Sequence, residues 1–143
     1  MTQNDKDLLL KDLCARLPYG VKFACNNTIY TAKGLDTIVT DEGDWEYAVT
    51  AKGVTPIEID LIKPYLFPLE SMTEEQYYEM QSISGEDCLN HMELEKAWRN
   101  NSHFNHLPLY QHKVIEFFHK HHFDYRGLIP MGLAIDATGL NIY

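Results

Sequence analysis

The chain has few of the features that mark secreted or membrane-spanning proteins. Its 143 residues include only three cysteines, Cys14, Cys25 and Cys88, an odd and widely spaced set that predicts no disulfide framework. No apolar run approaches the roughly 18 residues that a membrane helix needs. The first residues also lack the continuous apolar stretch of a signal peptide. We therefore expect a cytoplasmic protein without a membrane partner.

Positive charge is also scarce. Twelve Lys and Arg residues stand against 21 Asp and Glu residues, which gives a formal net charge of −9 at pH 7. The basic residues are scattered, and the run His119–His122 carries one permanent charge because histidine is largely neutral at this pH. Such a chain repels polyanions on average. The sequence thus predicts no bulk nucleic-acid binding.

Catalytic motifs are missing as well. The sequence contains neither the G-x-S-x-G motif of hydrolases nor the glycine-rich patterns that bind nucleotide phosphates. Acidic pairs such as Asp41 with Asp44 lie in turn sequences, where local structure accounts for them. These absences favour a non-enzyme without a cofactor, although they leave the enzyme question open.

What the chain does have is enough apolar material for one domain. Hydrophobic residues make up 45% of the sequence, and a chain of this length buries roughly two-thirds of the surface of its unfolded form. We expect a single domain over 1–143. It should consist of a small β unit over 19–62 and a mainly helical part over 72–143 packed on it.

An N-terminal helix is predicted by leucines at helical spacing. Leu9, Leu13 and Leu17 share one stripe, and Asn4 or Asp5 can cap the helix start. The stripe covers about one and a half heptads, which is too short for a dimer seam. We expect it to pack on the core of the same domain.

Between residues 19 and 62 the hydrophobic period changes to two. The alternation places Phe23 and Trp45 in the core and Glu46 in solvent. It predicts a small antiparallel sheet or an SH3-like barrel of four or five short strands. Two prolines then make Lys63–Pro68 an extended or single-turn connector.

After residue 72 the pattern predicts three helices, which completes an α+β fold. A capping box at Thr73–Gln76 opens the first helix, Ser84 can cap the second, and Pro108 suits the first turn of the third. The third helix has the strongest amphipathic pattern, with Phe117 in the core. Two of its charged residues should stay solvated: Lys113 and Glu116.

Histidine spacing raises two candidate metal sites. The first has four candidate zinc ligands in two paired steps: Cys88, His91, His103 and His106. Its first pair lies inside a predicted helix, so the spacing leaves zinc open without favouring it. The second candidate is the helical stripe of His112, Glu116 and His119, which lacks the H-E-x-x-H arrangement. We expect no metal.

The segment His121–Ile129, HHFDYRGLI, is the most distinctive string. As a helix end, it would use Gly127 as a left-handed cap and pair Arg126 with Asp124 or with the last carbonyls. The alternative is an exposed contact of aromatic rings and arginine, which is typical of protein interfaces. We predict a binding surface of four residues: Tyr65, Phe67, Tyr125 and Arg126.

Three strings carry a resemblance: KDLCARLPYGVK at 11–22, DLIKPYLFPLESMTEEQ at 60–76 and HHFDYRGLI at 121–129. They resemble a set of uncharacterised short proteins encoded in phage and prophage genomes of gut bacteria. The stretch 82–106 is less typical of that set and is consistent with an insertion. The resemblance implies a cytoplasmic bacterial or phage context and assigns no catalytic residue.

Taken together, the sequence favours a non-catalytic, protein-binding accessory module of phage or prophage origin. Small bent sheets flanked by helices commonly serve as adaptors, although fold alone does not assign function. The alternative is a small hydrolase or metal-dependent enzyme of unrecognised type. A deep polar pocket with two or more titratable groups of displaced pKa would favour the enzyme.

Overall fold

The computed structural model of the protein describes residues 1–84 and 112–143. Within these ranges the fold is α+β, with three helices and one open sheet of six strands. The helices are α1 (Gln3–Arg16), α2 (Glu74–Ser84) and α3 (His112–Lys120). The strands are β1 (Lys22–Cys25), β2 (Thr28–Val39), β3 (Trp45–Ala51), β4 (Ile57–Glu58), β5 (Lys63–Leu66) and β6 (Ile135–Asp136).

The sheet is mixed and is not closed. Its strand order is β4-β3-β2-β1-β5-β6, and every pairing is antiparallel except that of β5 with β6. The SH3-like barrel considered from the sequence is therefore not confirmed. Closure would need a ladder between β4 and β6, and each of these edge strands has only two residues. The predicted antiparallel sheet accounts for the other five strands.

The predicted proline connector is itself a strand of the sheet. Lys63–Leu66 forms β5, in which Pro64 lies opposite Phe23 of β1. Proline fixes φ near the value of extended backbone and removes one N–H donor, so it is compatible with a strand that loses a single ladder bond. The sequence predicted the extended backbone correctly and missed its pairing.

The N-terminal helix forms where its leucine stripe predicts, with a different cap. Thr2 caps α1: its hydroxyl accepts from the N–H of Asp5 at 3.2 Å, and the Asp5 carboxylate accepts from the N–H of Thr2 at 2.9 Å. The predicted caps Asn4 and Asp5 lie inside the helix. Leu9 and Leu13 are fully buried against the sheet, so the stripe packs on the core of the same domain.

Buried apolar side chains form two clusters. The first lies between α1 and the sheet and includes Leu13, Phe23 and Val49. The second lies between α2, α3 and the segment that follows α3, and includes Met80 and Phe117. Phe23 and Phe117 are thus core residues, as predicted. Lys113 and Glu116 are exposed, also as predicted.

Trp45 is not a core residue; its side chain is 72% exposed, and the prediction is wrong. The alternation along β3 identified the correct face, because Val49 on that face is fully buried. However, the β2–β3 pair extends beyond the described core, and Trp45 lies near its far end, opposite Val39. Glu46, which was predicted to lie in solvent, is half-buried. It pairs with the Lys6 ammonium at 2.9 Å.

Part of the predicted helical region after residue 72 is confirmed. The capping box of α2 is present, with Thr73 Oγ1 accepting from the N–H of Gln76 and the Gln76 side chain accepting from the N–H of Thr73. The second predicted helix, beginning near Ser84, and the predicted start at Pro108 lie outside the described residues. None of the helices in ranges 1–84 and 112–143 is long and apolar enough to cross a bilayer.

Two substitutions test this placement. Phe117→Ala should lower the free energy of unfolding by about 3–5 kcal/mol, because a buried ring leaves a cavity. Trp45→Ala should change it by less than about 0.5 kcal/mol, since most of that ring is already in solvent. Urea unfolding followed by circular dichroism measures both. Equal losses in the two variants would contradict the assignment.

Candidate functional site

Helix α3 ends in a Schellman motif centred on His122. The N–H of Phe123 donates to the carbonyl of Phe118 at 2.9 Å, and the N–H of His122 donates to the carbonyl of His119 at 3.2 Å. His122 has the left-handed conformation that the motif requires, with φ of 58°. The cap predicted at Gly127 is therefore wrong: histidine supplies it five residues earlier, and Gly127 serves a later turn with φ of 77°.

A buried ion pair joins α1 to this helix end. Arg16 and Asp12 are both fully buried, and the guanidinium donates to the carboxylate at 2.7 and 3.0 Å. Arg16 also donates to the carbonyls of Phe118 at 3.2 Å and Phe123 at 2.8 Å. The positive charge lies at the C-terminal end of α3, where the helix dipole favours a cation. Asp12 accepts a further bond from Nε of Arg126 at 3.2 Å.

Tyr125 and His119 complete this buried polar centre. The Tyr125 ring lies beneath the guanidinium of Arg126, whose central carbon is 4.7 Å from the ring centroid. Its hydroxyl is 2.9 Å from Nε2 of His119. Burial, reinforced by the charge of Arg16, lowers the pKa of His119 to about 4. Burial also raises the pKa of Tyr125, so both groups are neutral at pH 7.

The metal stripe of His112, Glu116 and His119 does not form. His119 is directed to Tyr125, whereas His112 and Glu116 are exposed. The Glu116 carboxylate accepts instead from the hydroxyl of Tyr19 at 3.1 Å. The three side chains therefore have separate partners or surroundings and do not converge.

Asp124 organises the turn in the second half of the segment His121–Ile129. The buried carboxylate of Asp124 accepts from the N–H groups of Leu128 at 2.8 Å and Ile129 at 2.7 Å. The sequence suggested Asp124 or the last helix carbonyls as partners of Arg126. In the structure, Arg126 pairs with Asp12. This arrangement supports the helix-end interpretation of the string.

The four predicted contact residues have unequal access to solvent. Tyr65 is 9% exposed and Tyr125 is 4% exposed, while Phe67 and Arg126 are half-buried. The structure brings Tyr125 and Arg126 into contact, and it packs Phe67 against Phe123 with ring centroids 6.4 Å apart. A binding role for this set stays a prediction, and only Phe67 and Arg126 offer appreciable surface for it.

An open cavity of about 410 Å³, here called the histidine cavity, lies beside the helix end. Its lining consists of Phe67, Ser71, Thr73, Gln76, Lys120, His121, His122, Phe123 and Tyr143. His122 stacks on Tyr143 with ring centroids 3.9 Å apart and planes at 13°. Burial lowers the pKa of His122 to about 4, and it also lowers the pKa of His121. Burial raises the pKa of Tyr143 to about 12.

The hydroxyl groups of this cavity are not assembled for nucleophilic catalysis. Oγ of Ser71 donates to the carbonyl of Pro68 at 2.7 Å, and Oγ1 of Thr73 accepts from the N–H of Gln76 at 3.2 Å. A serine or threonine nucleophile is commonly activated by a hydrogen bond to an adjacent general base. Within the described ranges of the chain, neither hydroxyl has a hydrogen bond to an imidazole of the cavity.

The candidate zinc ligands Cys88, His91, His103 and His106 lie outside the described residues, so that site stays a prediction. Among residues 1–84 and 112–143, three acidic groups lie close enough together to share a cation: Glu46, Glu58 and Asp60. The Lys6 ammonium lies 2.9 Å from Glu46 and 3.4 Å from Asp60. The Lys6 ammonium thus already pairs with two of the three carboxylates.

The sequence missed an exposed apolar patch at the end of the β2–β3 pair, here called the ribbon patch: Val39, Trp45 and Tyr47. Val39 is 54% exposed and Tyr47 is 53% exposed. Val39 lies directly opposite Trp45, and Tyr47 lies two residues along the same face of β3. Alternation could not identify the patch, because a strand face covered by a core and one left in solvent have the same sequence period.

No family model, curated protein or solved structure matches the chain. The three strings at 11–22, 60–76 and 121–129 nevertheless meet in space. Arg16 of the first string donates to the carbonyl of Phe123 in the third, and Phe67 of the second bridges Phe123. The distinctive parts of the sequence therefore converge at the end of α3.

Loss of the buried carboxylate should be costly. Asp12→Asn leaves the fully buried Arg16 without its counter-charge, and we expect a loss of about 3–5 kcal/mol in the free energy of unfolding. The matched control is Asp7→Asn on the exposed side of the same helix, which should change stability by less than about 0.5 kcal/mol. Urea unfolding at pH 7 compares the two. A similarly small effect at Asp12 would contradict the buried pair.

The neutral buried histidines predict acid sensitivity. In the folded state His119 and His122 have pKa values of about 4, whereas an unfolded histidine titrates near 6.5. Between these values the unfolded state binds more protons, so stability should fall as the pH is lowered from 6.5 towards 4. The double variant His119→Gln, His122→Asn should show a shallower fall in melting temperature over this range.

The control for that experiment is His112→Gln, which removes an exposed histidine from the same helix. Its melting temperature should depend on pH as that of the parent does. An unchanged slope in the double variant would show that the two buried histidines do not cause the acid sensitivity.

Proposed function

We propose that the protein is a non-catalytic protein-binding module and that the ribbon patch is its contact surface. The observation that carries this proposal is the exposure of three large apolar side chains, Val39, Trp45 and Tyr47, on one face of the β2–β3 pair. Contiguous exposed apolar surface is typical of interaction sites. Trp and Tyr are also the residue types most enriched among the anchors of protein interfaces.

The backbone around the patch supports the same function. β4 pairs with β3 only at Ala48 and Val49, and β1 pairs with β2 only along Thr28–Thr31. In the described part of the chain, residues 45–47 and 33–39 therefore each have an open strand edge. An open edge can accept a strand from a partner, which adds main-chain hydrogen bonds to the apolar contacts.

Charge indicates the kind of partner. The turn that joins β2 to β3 contains three exposed acidic residues: Asp41, Glu42 and Asp44. An acidic turn at one end of an apolar patch complements a groove that is bordered by Lys and Arg, and it speeds association with such a surface. We therefore propose a protein partner whose apolar groove has a basic rim.

The proposal extends to the biological setting. The resemblance of the three strings to short phage and prophage proteins supports a role as an accessory protein in the bacterial cytoplasm. The search for the partner should then begin among proteins of a bacterial host or of a phage. The ribbon patch lies outside all three strings, so partner choice could differ between similar proteins while the helix-end structure is kept.

The alternative of a small hydrolase or metal-dependent enzyme has one observation in its favour. His121, His122 and Tyr143, whose pKa values are displaced by burial, all line the histidine cavity. Displaced pKa values cluster at functional sites. The hydroxyls of Ser71 and Thr73 are engaged with backbone groups, however, so a binding cavity explains the displacement without catalysis.

Cross-linking in a bacterial lysate tests the contact surface. The variant Trp45→Ser, Tyr47→Ser should lose the partner that the parent protein captures, and its melting temperature should stay close to that of the parent. The matched control is Tyr78→Ser, which removes an exposed aromatic ring from α2 and should keep the partner. Capture should also weaken as salt is raised to about 1 M, where charges are screened beyond roughly 3 Å.

Three outcomes would reject the proposal: retention of the partner by the ribbon variant, equal loss in the Tyr78 control, or capture that does not respond to salt. Self-association is measured separately by size-exclusion chromatography with light scattering. A dimer of the parent that the ribbon variant abolishes would make the occupant a second copy and would reject a basic partner.

A further inference from the structure

We propose that the histidine cavity binds a small organic oxyanion with a planar apolar body. The cavity shares no residue with the ribbon patch, so this inference is independent of the protein-binding function. Its volume of about 410 Å³ lies within the range of small-molecule sites, which is roughly 300–1,000 Å³.

The charge of the lining favours an anion. The chain carries nine more acidic than basic residues, yet among the described residues the lining of the cavity contains no carboxylate and has one permanent positive charge, at Lys120. The Glu79 carboxylate approaches from outside the lining and stays 3.9 Å from Nε2 of His121, which is beyond hydrogen-bonding distance. Among the described lining residues, Lys120 thus supplies the positive charge that an anion would meet.

Two imidazole nitrogens in the lining of the cavity have no hydrogen-bond partner among the described residues. Nδ1 of His122 and Nε2 of His121 are buried, and they have no partner within the described ranges. Buried polar atoms are rarely left unpaired, because the loss of hydration is then not compensated. A neutral imidazole has one N–H donor, which can bond to a carboxylate or phosphate oxygen.

The position of His122 is set by the fold before any ligand binds. Its backbone forms the left-handed cap of α3 and its ring is stacked on Tyr143. Only 6% of the residue is exposed to solvent. The hydroxyl of Tyr143 is itself held, since it donates to the carbonyl of Tyr65 at 2.8 Å. A rigid ring nitrogen at a fixed place reduces the ordering that binding requires.

The remaining walls fit a flat apolar body. Phe67, Phe123 and Tyr143 line the cavity together with the imidazole of His122. Phe67 packs against both other rings, with its centroid 6.4 Å from that of Phe123 and 5.8 Å from that of Tyr143. Aromatic walls of this kind bind planar groups by stacking and edge contacts.

Nuclear magnetic resonance of the histidine side chains tests the inference on the full chain. The probes are 2-naphthoate and 2-naphthyl phosphate, with neutral 2-naphthamide and acetate as the isolated body and head group. We expect saturable shifts of the His121 and His122 ring nitrogens with both naphthyl oxyanions. Naphthamide and acetate should each bind at least about tenfold more weakly than naphthoate.

Substitutions then identify the groups that bind the anion. Lys120→Gln should weaken naphthoate about tenfold and leave naphthamide unchanged, because it removes the positive charge alone. The matched control is Lys113→Gln on the same helix, which is exposed and outside the cavity, and it should have no effect. His122→Asn, which tolerates the left-handed backbone, should also weaken naphthoate.

Each contrary result overturns the proposal. Absence of saturable shifts with both naphthyl oxyanions would show that the cavity does not bind this class of ligand. Equal affinity for naphthoate and naphthamide would show that the cavity does not recognise the negative charge. Equal affinity for naphthoate and acetate would show that it does not recognise the planar body. An equal effect of the two lysine variants would show that Lys120 acts only through overall charge.

Discussion

The buried ion pair of Asp12 and Arg16 links the two apolar clusters. Arg16 belongs to α1, which packs on the first cluster. Its guanidinium donates to the carbonyls of Phe118 and Phe123, two residues of the second cluster. A buried guanidinium is tolerated only when its donors are used and its charge is balanced. Since the carboxylate comes from the same helix, the helix end of α3 must supply the remaining acceptors.

The features around the end of α3 depend on that contact. The carbonyl of Phe118 takes part in the Schellman motif and accepts from Arg16 as well, so the cap and the ion pair stabilise the same backbone. His122 follows as the residue in the left-handed position, and its ring forms one wall of the histidine cavity. The backbone cap that Arg16 contacts thus also holds one wall of the histidine cavity in place.

The sequence predicted what depends on local periodicity. The change of period near residue 62 separated the sheet from the helices, and the spacing in α3 placed Phe117 in the core. The pattern could not show that the alternating face of β3 passes beyond the core before Trp45. An Asp and an Arg four residues apart on a helix also have the spacing of an ordinary surface pair, so nothing local marked Asp12 and Arg16 as buried. The histidine cavity was missed because it needs contacts between α2, α3 and Tyr143 that are distant in sequence.

The contacts of Arg16 also bear on when the fold can be completed. They join residues 102 and 107 positions apart, and bringing distant segments together has an entropic cost that local contacts do not. During synthesis, α1 leaves the ribosome long before the segment that accepts its charge. The helix can form at that stage, but it cannot dock as it does in the finished protein. High average separation of contacts slows folding, so the nascent N-terminal part should stay exposed to chaperones until the segment after α3 has emerged.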